Sequence, residues 1–480
     1  MEEEVVNVLE TVAEESTGIL AAIHKVNGII GDFAWGPPML VLLVGTGIFF
    51  TILLKVFQVT KIKLWWSSTF GEIFKKGGAR AKQDDANISP FQAVTTALAS
   101  TVGTGNIAGV ATAIFSGGPG AVFWMWVSGF FGMMTKYAEI VLAVKYRETD
   151  ANGAYHGGPM YYIQNGLKMK WLAVIFAIFA TLATFGIGNI AQSNAIATAF
   201  NENFGIPTLV VGIGIAVLVA LVIIGGIKRI ASVTEKLIPF MAIFYIVGGI
   251  VILLMNIAKL PAAFAVIFEN AFSFRSVGGG IMGYVIMRAM RYGIARGVFS
   301  NEAGLGSAPM AHAASRTKDP VQQGLWGVFE VFVDTIIICT ISGLVIVTAG
   351  QYGGEISGVS LVNASFKEAF GDFGGVFVAI AILCFAGSTI LGWSYYGQQC
   401  LRYLAGDNKV LDTGYKIFFS LLTIAGAVAG QREGLKLVWD ISDTLNGLMA
   451  IPNLIALLLL SKVVITLTKE YIARGGKPLS

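Results

Sequence analysis

Apolar residues in this chain come in long runs, broken by short polar segments. They show neither the alternation of a half-buried strand nor the one-sided periodicity of a surface helix. Eleven runs are long enough to be read as bilayer spans: 38–57, 90–115, 121–146, 171–200, 208–226, 237–256, 280–314, 324–349, 376–400, 416–430 and 437–460. A helix needs roughly 20 apolar residues to cross about 30 Å of hydrocarbon. The pattern predicts an all-α integral membrane protein with eleven transmembrane helices. Residues 1–30 carry an acidic, partly amphipathic helix over 5–30, expected to lie in the interface rather than to span.

Composition agrees. Of 480 residues, 55% are hydrophobic and 13% charged, against about 25% charged in a soluble domain. The net charge of +4, with no basic block interleaved with aromatics, gives no reason to expect a nucleic-acid partner. Cys339, Cys384 and Cys400 lie in or beside apolar runs without metal or redox spacing, and His24, His156 and His312 are dispersed, so neither a metal cluster nor an enzymatic nucleophile–base pair is expected. The start Met1–Glu4 is acidic where a cleavable signal would be positive, so the first span is expected to direct insertion.

Positive charge sets the expected orientation. Loops on one side, with the C-terminal tail, hold twenty-one Lys and Arg; Lys25, Lys259, Arg275, Lys367, Arg432 and Lys436 are the six on the other. By the positive-inside rule the N-terminus is outside and the C-terminus cytoplasmic.

A short self-match adds organisation. Residues 106–113, NIAGVATA, read against 301–308, NEAGLGSA, with four of eight positions identical. Each copy lies in the first run of a block of five, and an odd block size gives the two blocks opposite orientations. The division expected is a span and cytoplasmic loop over 31–88, repeats over 89–256 and 279–462, and a cytoplasmic tail over 463–480. Gly103 and Gly105 sit two apart in a run crowded with hydroxyls, where each glycine costs a helix about 1 kcal/mol relative to alanine. Unwound backbone at that depth is tolerated only against protein or a watery cavity. Inverted repeats with broken first helices are the architecture of secondary transporters.

The strings GTGNIAGVATAIFSGGPGAVFWMW (103–126), MTKYAE (134–139), GGPMYYI (157–163), FGIGNIAQ (185–192), RGVFSNEAGLGSAP (296–309), LGWSYYG (391–397) and DTLNGLMAIPNL (443–454) resemble the alanine or glycine:cation symporter family, and the likeness runs over about 30–462. The resemblance implies a LeuT-type five-plus-five inverted repeat with one extra N-terminal span. It also implies import of alanine or glycine across the cell membrane, with sodium as coupling ion and no cofactor.

A zwitterion held away from water needs donors for its carboxylate and acceptors for its ammonium. The break at Gly103–Gly105 offers the free N–H groups of Thr104, Gly105 and Asn106 at a positive helix end. The carbonyls of Val298, Phe299 and Ser300 would accept from the ammonium. For sodium, likeness to LeuT-type carriers implies the carbonyls of Ala99 and Val102 with the hydroxyls of Ser388 and Thr389, although such hydroxyls also bond their own helix. Asn189 and Gln192, three apart, are candidates for substrate contact, and Trp393 for a cap that leaves room for a methyl group or hydrogen. Lys136, Glu139 and Glu235 read as a structural network at the cytoplasmic side. Glu330 and Asp334 read as a gating or structural pair that Arg288, Arg291 and Arg296 could neutralise. Glu302, in the second break, is the first candidate for a titrating group should protons drive transport. A proton-coupled symporter on the same fold is the main alternative; a channel or membrane enzyme is less favoured.

Overall fold

The computed structural model describes residues 21–75, 77–80, 86–272, 279–428 and 433–478; within 279–284, 433–436 and 438–439 it describes the backbone alone. Met1–Glu4, residues 5–20 of the expected interfacial helix, and Lys76, Lys82, Arg275 and Arg432 of the charge count lie outside the described residues.

Among the described residues, twelve main helical segments organise the fold. They are α1 (Ala21–Leu53), α2 (Pro90–Thr101), α3 (Gly105–Gly117), α4 (Ala121–Lys145), α5 (Lys170–Phe204) and α6 (Thr208–Ile223). Then come α7 (Gly226–Met255), α8 (Gly279–Asn301), α9 (Pro320–Ala349), α10 (Asp372–Ala405), α11 (Lys409–Ala427) and α12 (Glu433–Leu459). Among the described residues, eight helices are long and apolar enough to cross a membrane, or nine if α2 and α3, bent by 48°, form one span. The other two expected spans fall on α6, which is only sixteen residues long, and on α8, which carries Arg288, Arg291 and Arg296.

Local chemistry accounts for the ends. The first span starts earlier than its apolar run suggests, because residues 21–34 are helical and meet Pro37 at a bend around Gly36. It stops where Lys55 and Val56 take positive φ, the region disfavoured for side chains with a Cβ. Ser89 and Gln92 form a reciprocal capping box ahead of α2, with Pro90 in the first turn. Short helices over Pro159–Leu167, Leu260–Phe272 and Gly358–Phe370 occupy what the apolar runs leave as loops, and Ser461–Ala473 begins the tail.

The centre is α2, α3 and α8, packed against α4, α7, α9 and α10. The outer helices α6 and α7 turn large apolar side chains outward, among them Leu218, Leu221, Ile243 and Val247, as a lipid-facing surface requires. The start of α2 is sealed against the segment before α9. Ile88 and Ser315 form a parallel bridge. The Arg147 guanidinium donates to the carbonyls of Ala313, Ser315 and Thr317 at 3.1, 2.6 and 2.8 Å, and stacks 3.6 Å from the Tyr155 ring. Burial pulls that guanidinium down to about 10, against support from Tyr155, so it keeps its charge at neutral pH. Arg147 is braced by a small hairpin, Glu148–Thr149 with Tyr155–His156. In its turn, burial works to raise the Asp150 carboxyl, but bonds from the Ala154 N–H, His156, the Asn152 N–H and Arg402 outweigh it and hold the group at about 2.

Close packing of α10 on α2 yields a prediction. A Cβ at Gly392 would stand 2.0 Å from Ser100 Oγ and 3.0 Å from the Ser100 backbone N. Gly392→Ala should therefore cost about 1–3 kcal/mol, the usual price of overpacking, read as a lowered melting temperature in detergent, and Ser100→Ala should partly restore it.

Candidate functional site

The site is built where two helices stop being helices. α2 ends at Val102, whose ψ of 83° turns its carbonyl out of the helix, and the chain resumes as a π-helical turn over Gly105–Gly109. The Asn106 side chain folds back to accept from the Gly103 N–H at 2.9 Å, while the Asn106 N–H donates to the Gly103 carbonyl at 3.2 Å. The Thr104 N–H donates to Gln192 Oε1 at 3.4 Å. An amide oxygen from α5 thus takes up a free N–H of the break.

The second interruption lies directly against the first. A Cβ at Gly105 would stand 3.2 Å from Ser300 Cα and 3.3 Å from Phe299 Cδ1, a contact so tight that a larger residue would have to push the second break back by a few tenths of an ångström. After Asn301 the chain leaves the helix with Glu302 at φ 56°. The Val298 carbonyl is already taken by the Glu302 N–H at 2.7 Å. This bond closes the last turn of α8 and uses one of the two lone pairs of that oxygen; Phe299 and Ser300 lie against the break.

The four expected ion-site residues are all buried, but their hydroxyls differ. Ser388 and Thr389 both donate to the Phe385 carbonyl, at 2.8 and 3.0 Å, which uses their protons and leaves oxygen lone pairs. Thr389 Oγ1 is the atom nearest to Gly103, 2.2 Å from where a Cβ would be, so it stands at the break with Ala99 and Val102. Ser388 Oγ also lies 3.6 Å from Met241 Sδ on α7.

Asn189 and Gln192 do not share a face. A π-helical turn over Gly186–Ile190 inserts surplus backbone between them, and the three-residue spacing loses its α-helical meaning. Gln192 turns to the break. Asn189 donates to the Phe419 carbonyl on α11 at 2.7 Å, and its buried Oδ1 has no hydrogen-bond partner among the described residues. Trp393 is buried, not at an interfacial belt, and packs against Gly188, where a Cβ would stand 2.4 Å from the tryptophan's own Cβ.

The buried charges rearrange the expectation most. Glu330 and Asp334, four apart, are separated in role by a third π-helical stretch, Phe332–Cys339. Glu330 pairs with Lys136 at 3.2 Å and accepts from His312 Nε2 at 3.0 Å. Gln323 Nε2 lies 2.9 Å from His312 Nδ1, so both ring nitrogens of that imidazole have a partner. Asp334 accepts from Asn106 Nδ2 at 2.7 Å, Ser300 Oγ at 3.0 Å and Thr335 Oγ1 at 2.8 Å. The arginines expected as counter-ions are elsewhere: Arg291 pairs with Asp32, Arg296 lies over Phe299 and Arg288 over Tyr292.

Glu139 serves the second break. It accepts from the N–H groups of Gly304 and Gly306 at 3.0 and 3.1 Å, and from Asn453 Nδ2 at 2.6 Å. Glu302 accepts from Ser307 Oγ at 2.5 Å. Glu235 does lie near the start of α2, accepting from Gln92. The role of Asp334 in tying both breaks together was missed by sequence reasoning. Its signal was a carboxylate inside an apolar run, but the regular helical spacing assigned it to Glu330.

A family model described as the sodium:alanine symporter family matches residues 20–477. The chain is similar to the sodium/alanine symporter AgcS of Methanococcus maripaludis, 50% identical over 92% of this chain and 96% of that one. It is 39% identical to a probable sodium/glutamine symporter of Bacillus subtilis, over 94% of this chain and 91% of the relative. A putative sodium/proton-dependent alanine carrier protein of the same organism is 38% identical, over 91% and 90%. Among solved structures, a manganese transporter of Eremococcus coleocola aligns with a TM-score of 0.50 at 13% identity, over 78% of each chain, a likeness of fold alone.

The charge arrangement predicts that Lys136→Met will be strongly destabilising, by about 3–5 kcal/mol, because it leaves Glu330 buried without its cation. Glu330→Gln in the same chain should recover most of that loss, measurable as a melting-temperature cycle over the four proteins.

Proposed function

The chain belongs to the sodium:alanine symporter family and is a transporter of small amino acids, not an enzyme; from that premise we propose that it imports alanine and glycine with sodium by alternating access. The observation that carries this reading is the meeting of the two interruptions, Gly105 against Phe299 and Ser300, with Thr389 at Gly103. In this reading the amide groups over Gly103–Asn106 hold the substrate carboxylate, which displaces the Gln192 oxygen from the Thr104 N–H. The carbonyls of Phe299 and Ser300 take the ammonium. Trp393 and Phe299 bound the space left for the side chain. Sodium, a hard cation, takes the carbonyls of Ala99 and Val102 and the hydroxyl oxygens of Ser388 and Thr389.

Residues 89–256 and 279–462 are the inverted repeats in this proposal, and the N-terminus is outside. The Ile88–Ser315 bridge and the Arg147 clamp then close the cytoplasmic side, and those contacts are what must break for release inward. Proton coupling is the second reading, favoured by the buried Glu302 carboxylate in the break.

Radiolabelled alanine uptake into proteoliposomes tests this. Uptake should require an inward sodium gradient. Thr389→Ala should raise the sodium needed for half-maximal uptake about tenfold, equivalent to about 1.4 kcal/mol of lost cation binding. Gln192→Ala should change the alanine requirement and leave the sodium requirement largely intact. Uptake driven by a proton gradient alone, and abolished by Glu302→Gln, would replace sodium coupling with proton coupling; no accumulation of alanine or glycine under any gradient would refute the substrate assignment.

A further inference from the structure

On the face opposite the Ile88–Ser315 bridge, α1, α8 and α12 enclose a cavity of about 310 Å³. Its floor is Phe299, the residue whose ring lies against Gly105. The cavity therefore stands immediately over the helix breaks with one aromatic ring between.

Its lining is charged in both senses, with Arg291 and Arg296 from α8, Asp440 and Asp443 from α12, and Asp32 from α1. Arg291 and Asp32 pair at 2.8 Å, but both are well exposed, at 42% and 76%, so the pair contributes little to holding the walls together. Arg296 and Asp443 feel each other electrostatically, but no salt bridge joins them among the described residues. Among the described residues Arg296 has no ion pair, and its guanidinium lies 5.4 Å over the Phe299 ring. Asp443 has a buried Oδ1 with no hydrogen-bond partner, while its backbone carbonyl is held by the Trp35 indole N–H at 3.0 Å. A cation and a carboxylate, each with unused bonding capacity, share one small enclosure. Such a pair is complementary to a ligand that carries both charges a few ångströms apart.

We propose that this cavity is a staging site for a zwitterionic amino acid, with the ligand carboxylate on Arg296 and its ammonium on Asp443 and Asp440. The assignment rests on the amino-acid transport reading above. It gives α1, the helix in front of the repeats, a part in substrate handling, since Asp32 and Trp35 build one wall. It also differs from the break in selectivity. The cavity has room for side chains much larger than a methyl group, so it discriminates by backbone charge rather than by size. Passage past Phe299 then selects the small residues.

The test is equilibrium dialysis of radiolabelled alanine against the purified full chain in nanodiscs with sodium. The expected result is about two alanines per chain, falling to about one in Arg296→Gln and in Asp443→Asn. Gln192→Ala should retain the alanine that those two variants lose. A second measurement leaves the chain unaltered: excess leucine should displace about half of the alanine bound to the wild-type protein and should not be taken up itself. One alanine per chain in the wild type, kept in both Arg296→Gln and Asp443→Asn, would overturn the staging site and leave the transport reading standing. Two alanines retained in both charge variants would also overturn it, as would leucine displacing all or none. No alanine or glycine bound by the wild type would refute the substrate assignment and the staging site together.

Discussion

Peptide groups without helical partners cannot be left facing hydrocarbon, and most of this architecture follows from meeting that constraint at two places at once. The chain stops being helical at 102–103 and again after Asn301, and each stop exposes polar backbone at membrane depth. The solution is mutual cover. The first break is packed on Phe299 and Ser300, and the loop after the second is capped by Glu139 and Asn453. Asp334 bonds Asn106 on one side and Ser300 on the other. The two interruptions thus form one polar island whose walls are apolar helices.

That island explains why so many charges survive in a chain with so few. Lys136, Glu139, Glu302, Glu330 and Asp334 are all buried. Isolated, each would carry a large desolvation cost. Together they act as caps, clamps and counter-ions for backbone that would otherwise be unsatisfied. Their energetic role is specific rather than additive: removing one partner strands another, so the cluster holds one arrangement of the helices rather than simply adding stability.

Much of this was legible in the sequence. Long apolar runs located the helical segments, although α1 and α7 begin well before their runs at Ala21 and Gly226, and Gly103, Gly105 and Glu302 marked the interruptions. The family strings identified the transporter class. What could not be read depended on phase and reach. Asn189 was grouped with Gln192, and Glu330 with Asp334, by regular helical spacing, but a π-helical turn falls beside or between each pair. The counter-ion of Glu330 comes from another helix, Lys136 on α4, almost two hundred positions away; nearby arginines were the natural guess because spacing reports only local neighbours. Short helices such as Gly358–Phe370 escaped notice because they are too polar to register as apolar runs.

The π-helical stretches have a consequence for how such chains are compared. Each holds surplus residue in a helix that otherwise advances roughly 100° per residue, so it acts as an indexing step that sets the rotation of everything beyond it. Removing a single residue from Phe332–Cys339 would let the ordinary helix close up and swing Glu330 and the end of α9 out of phase with each other, although every named side chain would still be present. Two relatives can therefore match letter for letter on either side of such a stretch and yet present different faces to the centre, and the length of the stretch carries as much information as its composition.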